Sequence, residues 1–116
     1  MDFRHSHLVV TARLDDTLSA LADPTRRMVV DLLSRRPHSA GALAKAAGSS
    51  APAMSRHLRL LRQSGLVEER HNESDARLRI YSLRPQLLTD VKGWLEDLEG
   101  FWSDQLNAFK DHLEGR

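Results

Sequence analysis

The stretch SSAPAMSRHLRLLRQSGLV, residues 49–67, decides the interpretation of this chain. It predicts a helix over residues 50–64 that ends at Gly65. At helical spacing, one side of this helix collects the apolar residues Met54, Leu58 and Leu61. The opposite side is mostly polar and basic, with Pro52, Arg56, Arg59 and Gln63, flanked by Ser55 and Arg62. One side is therefore a core contact and the other a basic, hydrogen-bonding surface.

Three shorter helices are predicted upstream. The first carries the apolar residues Leu14, Leu18 and Leu21 and stops at Asp23. Asp23 is suited to cap, and Pro24 to open, a second helix that ends before Pro37 and packs through Met28, Val29, Leu32 and Leu33. Ser39 caps a third, alanine-rich helix, with Leu43 and Ala47 inward and Gly48 at its end. Residues 1–13 lack periodicity and are interpreted as an arm or a weak first helix.

A hairpin and a long helix are predicted downstream. Residues 66–71 and 77–83 are rich in β-formers and are joined by the acidic loop NESDA, so they form a hairpin. From Pro85 a helix of roughly 40 Å follows. Its apolar seam continues through Val91, Trp94, Leu98, Phe101, Trp102 and Phe109. Gly93 and Gly100 either permit close helix approach or are tolerated surface glycines.

Charge is distributed unevenly along the chain, although the net charge is only +1. Residues 24–84 carry twelve Arg or Lys against five Asp or Glu, a net of +7, whereas residues 1–23 carry −2 and residues 85–116 carry −4. A basic middle between acidic ends is typical of a module that binds a polyanion. The polar second helix of a tight helix-turn-helix pair, followed by a basic hairpin, predicts a winged helix-turn-helix that enters the DNA major groove.

This order of elements resembles the ArsR family of bacterial repressors. The resemblance is carried by ALADPTRRMVVDLL at residues 20–33, APAMSRHLRLLRQSGLVEER at 51–70 and RLRIYSL at 77–83. It implies a mainly α fold with a small β-hairpin, in which residues 14–84 form the DNA-binding core. Residues 85–116 would form a dimerisation helix, to which residues 1–22 contribute.

The resemblance also implies which residues contact DNA. Those placed where the family reads bases are Ser50, Ala53, Ser55 and Arg56, with Ser49 and Pro52 beside them. Arg56 is the best candidate for a base contact, because arginine can bind guanine through two hydrogen bonds, although a phosphate contact is the alternative. The expected phosphate contacts are Arg59, Arg62, Arg70, Arg77 and Arg79. The acidic residues Glu73 and Asp75 argue against contact by the tip of the hairpin.

The aromatic seam of the last helix predicts a homodimer, because one small domain cannot cover it. Two recognition helices about 34 Å apart would then bind a palindromic operator, and the resemblance implies repression. His57 borders the core side and is interpreted as a structural histidine. Two features argue against a serine hydrolase using Ser55 and His57: residues two apart on a helix point in different directions, and no acidic partner follows.

No cofactor, catalytic site or metal site is predicted. The chain has no cysteine, which excludes a thiolate sensor at residues 39–43. One metal site is left open: the resemblance implies a dimer in which the N- and C-terminal helices lie together, so His5 or His7 could meet His112 or Asp111 of a second subunit. The absence of a long apolar run predicts a cytoplasmic protein that does not bind membranes.

Two alternatives remain open at this stage. One is a sensor of the same fold gated by a metal or a small ligand, although no effector is evident. The other is a winged-helix module whose basic surface binds an acidic protein. The operator sequence and the regulated genes are not determined by the sequence.

Overall fold

The computed structural model describes residues 13–71, 74 and 77–115. Helix α1 is described over residues 13–20. The remaining elements are α2 (Pro24–Arg35), β1 (His38–Ser39), α3 (Ala40–Ala47), α4 (Ala51–Ser64), β2 (Val67–His71), β3 (Arg79–Leu83) and α5 (Gln86–Leu113). This order confirms the predicted fold class. The predicted arm and most of the loop NESDA lie outside the described residues.

The helix ends follow from short polar residues and glycines, as the sequence predicted. The side chains of Asp23, Ser39 and Ser50 each accept a backbone N–H from the residue three positions on, at the start of α2, α3 and α4. Helices α3 and α4 end at Gly48 and Gly65, whose φ angles of 63° and 85° are left-handed. These two stops fix the turn before α4 and the entry into β2.

The core lies where the second, third and fourth helices meet the sheet. Its fully buried side chains include Val29, Leu43, Met54, Leu58, Leu61 and Leu66. Two of the periodic apolar residues of the predicted helices do not enter the core, because Leu18 and Met28 are 39% and 44% exposed. On α1 the buried residues are Leu14, Thr17 and Ala20, and the Thr17 hydroxyl is satisfied by donating to the Arg13 carbonyl.

The sheet has three strands in the order β1-β3-β2, all antiparallel, so it is larger than the predicted hairpin. The additional strand is the pair His38–Ser39, which aligns with Tyr81 and Ile80. These two residues, the second of which also caps α3, carry no periodic signal, and only the nearby edge of β3 makes them a strand. The hairpin therefore joins the helical core through both of its edges.

Helix α5 leaves the core after its first turns. Leu87 and Leu88 pack against the core cluster. Farther along, the apolar side chains are exposed, with exposed fractions of 40% for Trp94, 56% for Phe101, 61% for Trp102 and 62% for Phe109. Over the described part of the chain, this seam therefore remains largely exposed to solvent. None of the described helices is long and apolar enough to cross a membrane.

The two glycines of α5 do not lie on the apolar seam. At roughly 100° per residue, Gly93 and Gly100 fall on the side opposite Leu98 and Trp102. A Cβ built at either glycine meets no atom within 4 Å. Packing of α5 through its apolar seam therefore does not require these glycines. Close approach of another helix at Gly93 and Gly100 remains a prediction, and it would involve the face of α5 opposite the seam.

Candidate nucleic-acid interface

The turn before α4 holds the start of this helix in a fixed position. The Ser49 N–H donates to the Ala44 carbonyl at 2.9 Å, which closes the end of α3. The Ser50 hydroxyl oxygen accepts the Ala53 N–H at 3.2 Å, and Ser49 Oγ donates to the Ser50 carbonyl at 3.1 Å. Of the predicted base-reading residues, Ser50 thus also serves as the helix cap, and Ala53 is half-buried. Pro52 is exposed in the first turn.

We define the outer face of α4 as Pro52, Ser55, Arg56, Arg59 and Gln63, all of which are exposed. Among the described residues, Arg56 and Arg59 have no ion-pair or side-chain hydrogen-bond partner. Their guanidinium groups therefore remain available for an external anion. Arginine donates in a planar fork that matches both phosphate and the edge of guanine. The structure brings these two predicted contacts onto one solvent-facing surface.

The remaining arginines near this face are held by two glutamates of β2. Arg62 Nη1 lies 2.7 Å from Glu69 Oε2, and Arg79 Nη1 lies 3.2 Å from Glu69 Oε1. Arg70 Nη2 lies 2.9 Å from Glu68 Oε1. Arg62, Arg70 and Arg79, which were predicted to contact phosphates, are thus paired within the chain. Arg77, at the other side of the loop, is exposed.

Glu68 and Glu69 were not identified from the sequence as part of this site. The side chain of Glu69 is only 12% exposed, and its carboxylate also accepts the Tyr81 hydroxyl at 3.3 Å. The available signal was the pair of adjacent glutamates in the strand VEERH, which follows a basic helix and faces a strand that begins with Arg79. The register Glu69↔Tyr81 could not be assigned without the length of the loop.

The contact between Glu69 and Tyr81 changes the acidity of the tyrosine. Burial, and then the neighbouring Glu69 carboxylate, raise the pKa of the Tyr81 phenol above its ordinary value of 10.0. The folded-state pKa is therefore above the unfolded one. Its contribution to stability is fully present below about pH 10 and is lost as the pH rises through the folded-state pKa.

Because Tyr81 is the only tyrosine, a spectrophotometric titration of tyrosinate reports this group alone. We expect a midpoint above the ordinary value in the folded protein and a return to about 10 in denaturant. Glu69→Gln should move the titration midpoint of Tyr81 in the folded protein only part of the way back towards its ordinary value, because the burial of the phenol remains. An ordinary midpoint in the folded wild-type chain would contradict the contact.

His57 anchors the inner edge of α4, which confirms its structural interpretation. Its Nδ1 lies 3.4 Å from Arg26 Nη1 and 3.9 Å from Asp23 Oδ1. Arg26 in turn donates from Nε to the Ala20 carbonyl at 2.6 Å, and Arg27 donates to the Leu21 carbonyl at 2.8 Å. These two arginines satisfy the end of α1. Their charges therefore belong to the scaffold rather than to the basic outer face.

The metal site left open by the sequence is not tested by this structure. His5 and His7 lie outside the described residues. Within residues 13–71, 74 and 77–115, no group of three or more His, Asp or Glu side chains could hold a metal ion. The carboxylate residues of α5 are exposed, except Asp90, which is half-buried.

The fold combines helices α2 and α3, the capped helix α4 with its basic outer face, and a wing formed by the antiparallel strands β2 and β3. These elements define a winged helix-turn-helix DNA-binding protein. The comparisons with known proteins agree. A family described as a helix-turn-helix domain matches residues 21–70. The HTH-type transcriptional regulator Rv2034 of Mycobacterium tuberculosis is 36% identical over 100 residues, which cover 86% of this chain and 88% of that protein.

Solved structures give the family. An ArsR-like transcriptional regulator from Rhodococcus sp. RHA1 superimposes with a TM-score of 0.79 at 28% identity, covering 94% of this chain and 97% of that one. A homodimeric winged helix-turn-helix domain from Mycobacterium bovis, a possible ArsR-family regulator, superimposes with a TM-score of 0.58 at 25% sequence identity. The match covers 100% of this chain and 93% of that one. The chain belongs to the ArsR family and is a DNA-binding transcriptional regulator. Its relatives are regulators, a class of protein distinct from enzymes.

Proposed function

We propose that this chain is a homodimeric repressor that binds a palindromic operator through the outer face of α4. The observation that carries the proposal is the pair Arg56 and Arg59, exposed on that face with no partner among the described residues. Ser55 and Arg56 lie near the start of the helix, the part that approaches base edges when such a helix enters the major groove. Arg59 lies one turn farther on, where a phosphate is the expected partner.

The wing, the end of α4 and the turn before α4 supply the second set of contacts in this proposal. Arg62 of α4 and Arg70, Arg77 and Arg79 of the wing are assigned to phosphates. Ser49 and Ser50 of the turn are assigned to the backbone or base edges beside it. Phosphate contacts add affinity without reading sequence, so binding should weaken steeply with salt. The base contact assigned to Arg56 provides the sequence preference.

Dimerisation is assigned to α5. Its uncovered seam, with Trp94, Phe101, Trp102 and Phe109 at least 40% exposed, is larger than single surface residues explain. The Mycobacterium bovis domain of the same fold is homodimeric. In the proposed organisation residues 14–84 bind DNA, residues 85–116 dimerise, and residues 1–22 contribute to the dimer.

A twofold dimer would present two copies of α4 about one DNA turn, 34 Å, apart. Such a dimer fits an inverted repeat, because each half-site meets the same surface. Occupying one face of a promoter excludes other proteins from it, which is the proposed means of repression. No cofactor or effector is part of this proposal.

A protein-binding role for the same surface is less well supported. Interfaces with proteins are anchored by buried aromatic or aliphatic residues at their centre. On α4, which the structure describes completely, the only large apolar side chain that is exposed is Leu60, at the edge facing α1. The centre of the face is instead serine and arginine.

The test is selection of bound duplexes from a random DNA pool, combined with sedimentation of the free chain. We expect an inverted repeat, bound far more tightly than a scrambled duplex, and a dimer at micromolar concentration. Equal binding of every duplex would contradict the proposed sequence-specific operator binding. A monomer at micromolar concentration would contradict the proposed dimer. Either result overturns the corresponding part of the proposal.

A further inference from the structure

The side chain of Glu69 occupies an unusual position for an acidic residue in a DNA-binding surface. We define the Glu69 cluster as Glu69, Arg62, Arg79 and Tyr81. Each carboxylate oxygen faces a different guanidinium, at 2.7 Å and 3.2 Å, and the phenol donates to the same carboxylate. At 12% exposure this carboxylate is largely removed from water, so the pairs are weakly screened.

The two arginines of the cluster remain open to solvent on their other sides. The Arg62 side chain is 40% exposed and that of Arg79 is 57% exposed. A guanidinium carries five N–H donors, and the pairs with Glu69 leave donors on each group for a phosphate. Because Arg62 lies in the last turn of α4 and Arg79 begins β3, one carboxylate sets the distance between the helix and the wing.

Holding the arginines has two physical consequences for DNA binding. A guanidinium fixed by a partner loses less rotamer freedom when it meets a phosphate at the matching position. The negative charge of Glu69 also offsets part of the positive charge of the pair, which reduces attraction to any phosphate at any position. The first effect favours the duplex that fits, and the second disfavours all others.

We propose that Glu69 is a specificity-determining positioning residue, which fixes Arg62 and Arg79 for the operator backbone and limits their pull on unrelated DNA. The inference rests on the proposed DNA contacts of α4 and the wing. Its rival is a purely structural role, in which Glu69 only ties α4 to the hairpin.

The chain provides a matched control one residue away. Glu68 pairs with Arg70 at 2.9 Å, but the side chains are 35% and 76% exposed. Glu68→Gln removes the same charge as Glu69→Gln, from a solvated pair that holds a single arginine. Such exposed pairs contribute little. The difference between the two variants therefore isolates the bridging carboxylate from a general change in charge.

The experiment measures dissociation constants of the full chain for the selected operator and for a scrambled duplex over a range of salt concentrations. For Glu69→Gln we expect scrambled DNA to bind roughly threefold to tenfold more tightly at low salt. The slope of log affinity against log salt concentration should be steeper by up to about two, one for each subunit. The ratio of operator to scrambled affinity should fall by roughly tenfold. Glu68→Gln should change both affinities together and leave the ratio within about twofold.

Glu69→Asp separates position from charge. It keeps the negative charge but is one methylene shorter, so it cannot reach both arginines in their present places. We expect operator affinity to fall severalfold. The affinity for scrambled DNA and the salt dependence of binding should stay unchanged. If Glu69→Gln does not fold, this variant decides alone.

An unchanged ratio in the folded Glu69 variants, with only a lower thermal midpoint, would overturn the inference and leave the structural tie. A ratio that falls equally in Glu68→Gln would also overturn it, because charge alone would then suffice. A wild-type chain that binds operator and scrambled duplex alike would overturn the proposed function itself, and the inference with it, before any variant is compared.

Discussion

Trp102→Glu is expected to convert the proposed dimer into a monomer and to lower operator affinity by roughly 100-fold or more. The side chain is 61% exposed in the single chain and packs edge-on against Phe101, with ring centroids 6.2 Å apart. Placing two carboxylates in an apolar helix seam costs their hydration without giving them a partner. Without the dimer, each half-site is bound separately and the gain of linked binding, about 10²–10⁴, is lost. Sedimentation and operator titration measure the two effects.

The control for this variant lies on the polar side of the same helix. Asn107→Glu adds one negative charge at an exposed position away from the seam. It should remain dimeric and bind the operator as the wild type does, apart from a small effect of charge. Because residue 102 is exposed in one chain, circular dichroism of Trp102→Glu should still show a helical protein. A dimer that survives Trp102→Glu would show that another surface holds the subunits together.

Arg56→Ala is expected to weaken operator binding by roughly 30-fold or more, with a smaller effect on scrambled DNA. A bidentate contact from arginine to guanine is worth about 1–3 kcal/mol, and a dimer makes it twice. The salt slope should fall by about two, one for each subunit, only if Arg56 contacts phosphate rather than a base. Repeating the duplex selection with the variant should show relaxed preference at one position in each half-site.

Two further variants sharpen this test. Arg56→Lys keeps the charge but loses the planar fork, so a base contact predicts a loss close to that of alanine. A phosphate contact predicts near-normal binding by lysine. Arg36→Ala removes the same charge from an exposed residue after α2, away from the outer face. If Arg36→Ala and Arg56→Ala lowered operator affinity equally, Arg56 would contribute only its positive charge and no specific contact.

Much of the fold could be predicted because its signals are local. Asp23, Ser39 and Ser50 before helical runs, and Gly48 and Gly65 after them, act within one turn of the chain. The periodic residues Met54, Leu58 and Leu61 required only the geometry of a helix to be assigned to the core. Local rules failed at Leu18 and Met28, because the inward direction of a short helix depends on its neighbours rather than on its own spacing.

The candidate site was predicted less completely than the fold. The outer face of α4 follows from helical spacing, so Arg56 and Arg59 could be identified directly. The partners of the other arginines could not, because Glu69 meets Arg62 and Arg79 only through the register of a hairpin and its packing on α4. Arg26 and Arg27 were counted as surface charge, although both hydrogen-bond carbonyls at the end of α1.

The sequence by itself therefore determined the class of fold, the bounds of the helices and the basic side of α4, since each depends on residues a few positions apart. Only the tertiary structure decided which charges face outward unpaired. Arg56 and Arg59 remain available, whereas Glu69 and Glu68 hold Arg62, Arg79 and Arg70. The physical reason is that an ion pair between distant residues exists only once strand register and helix packing bring its atoms within a few ångströms.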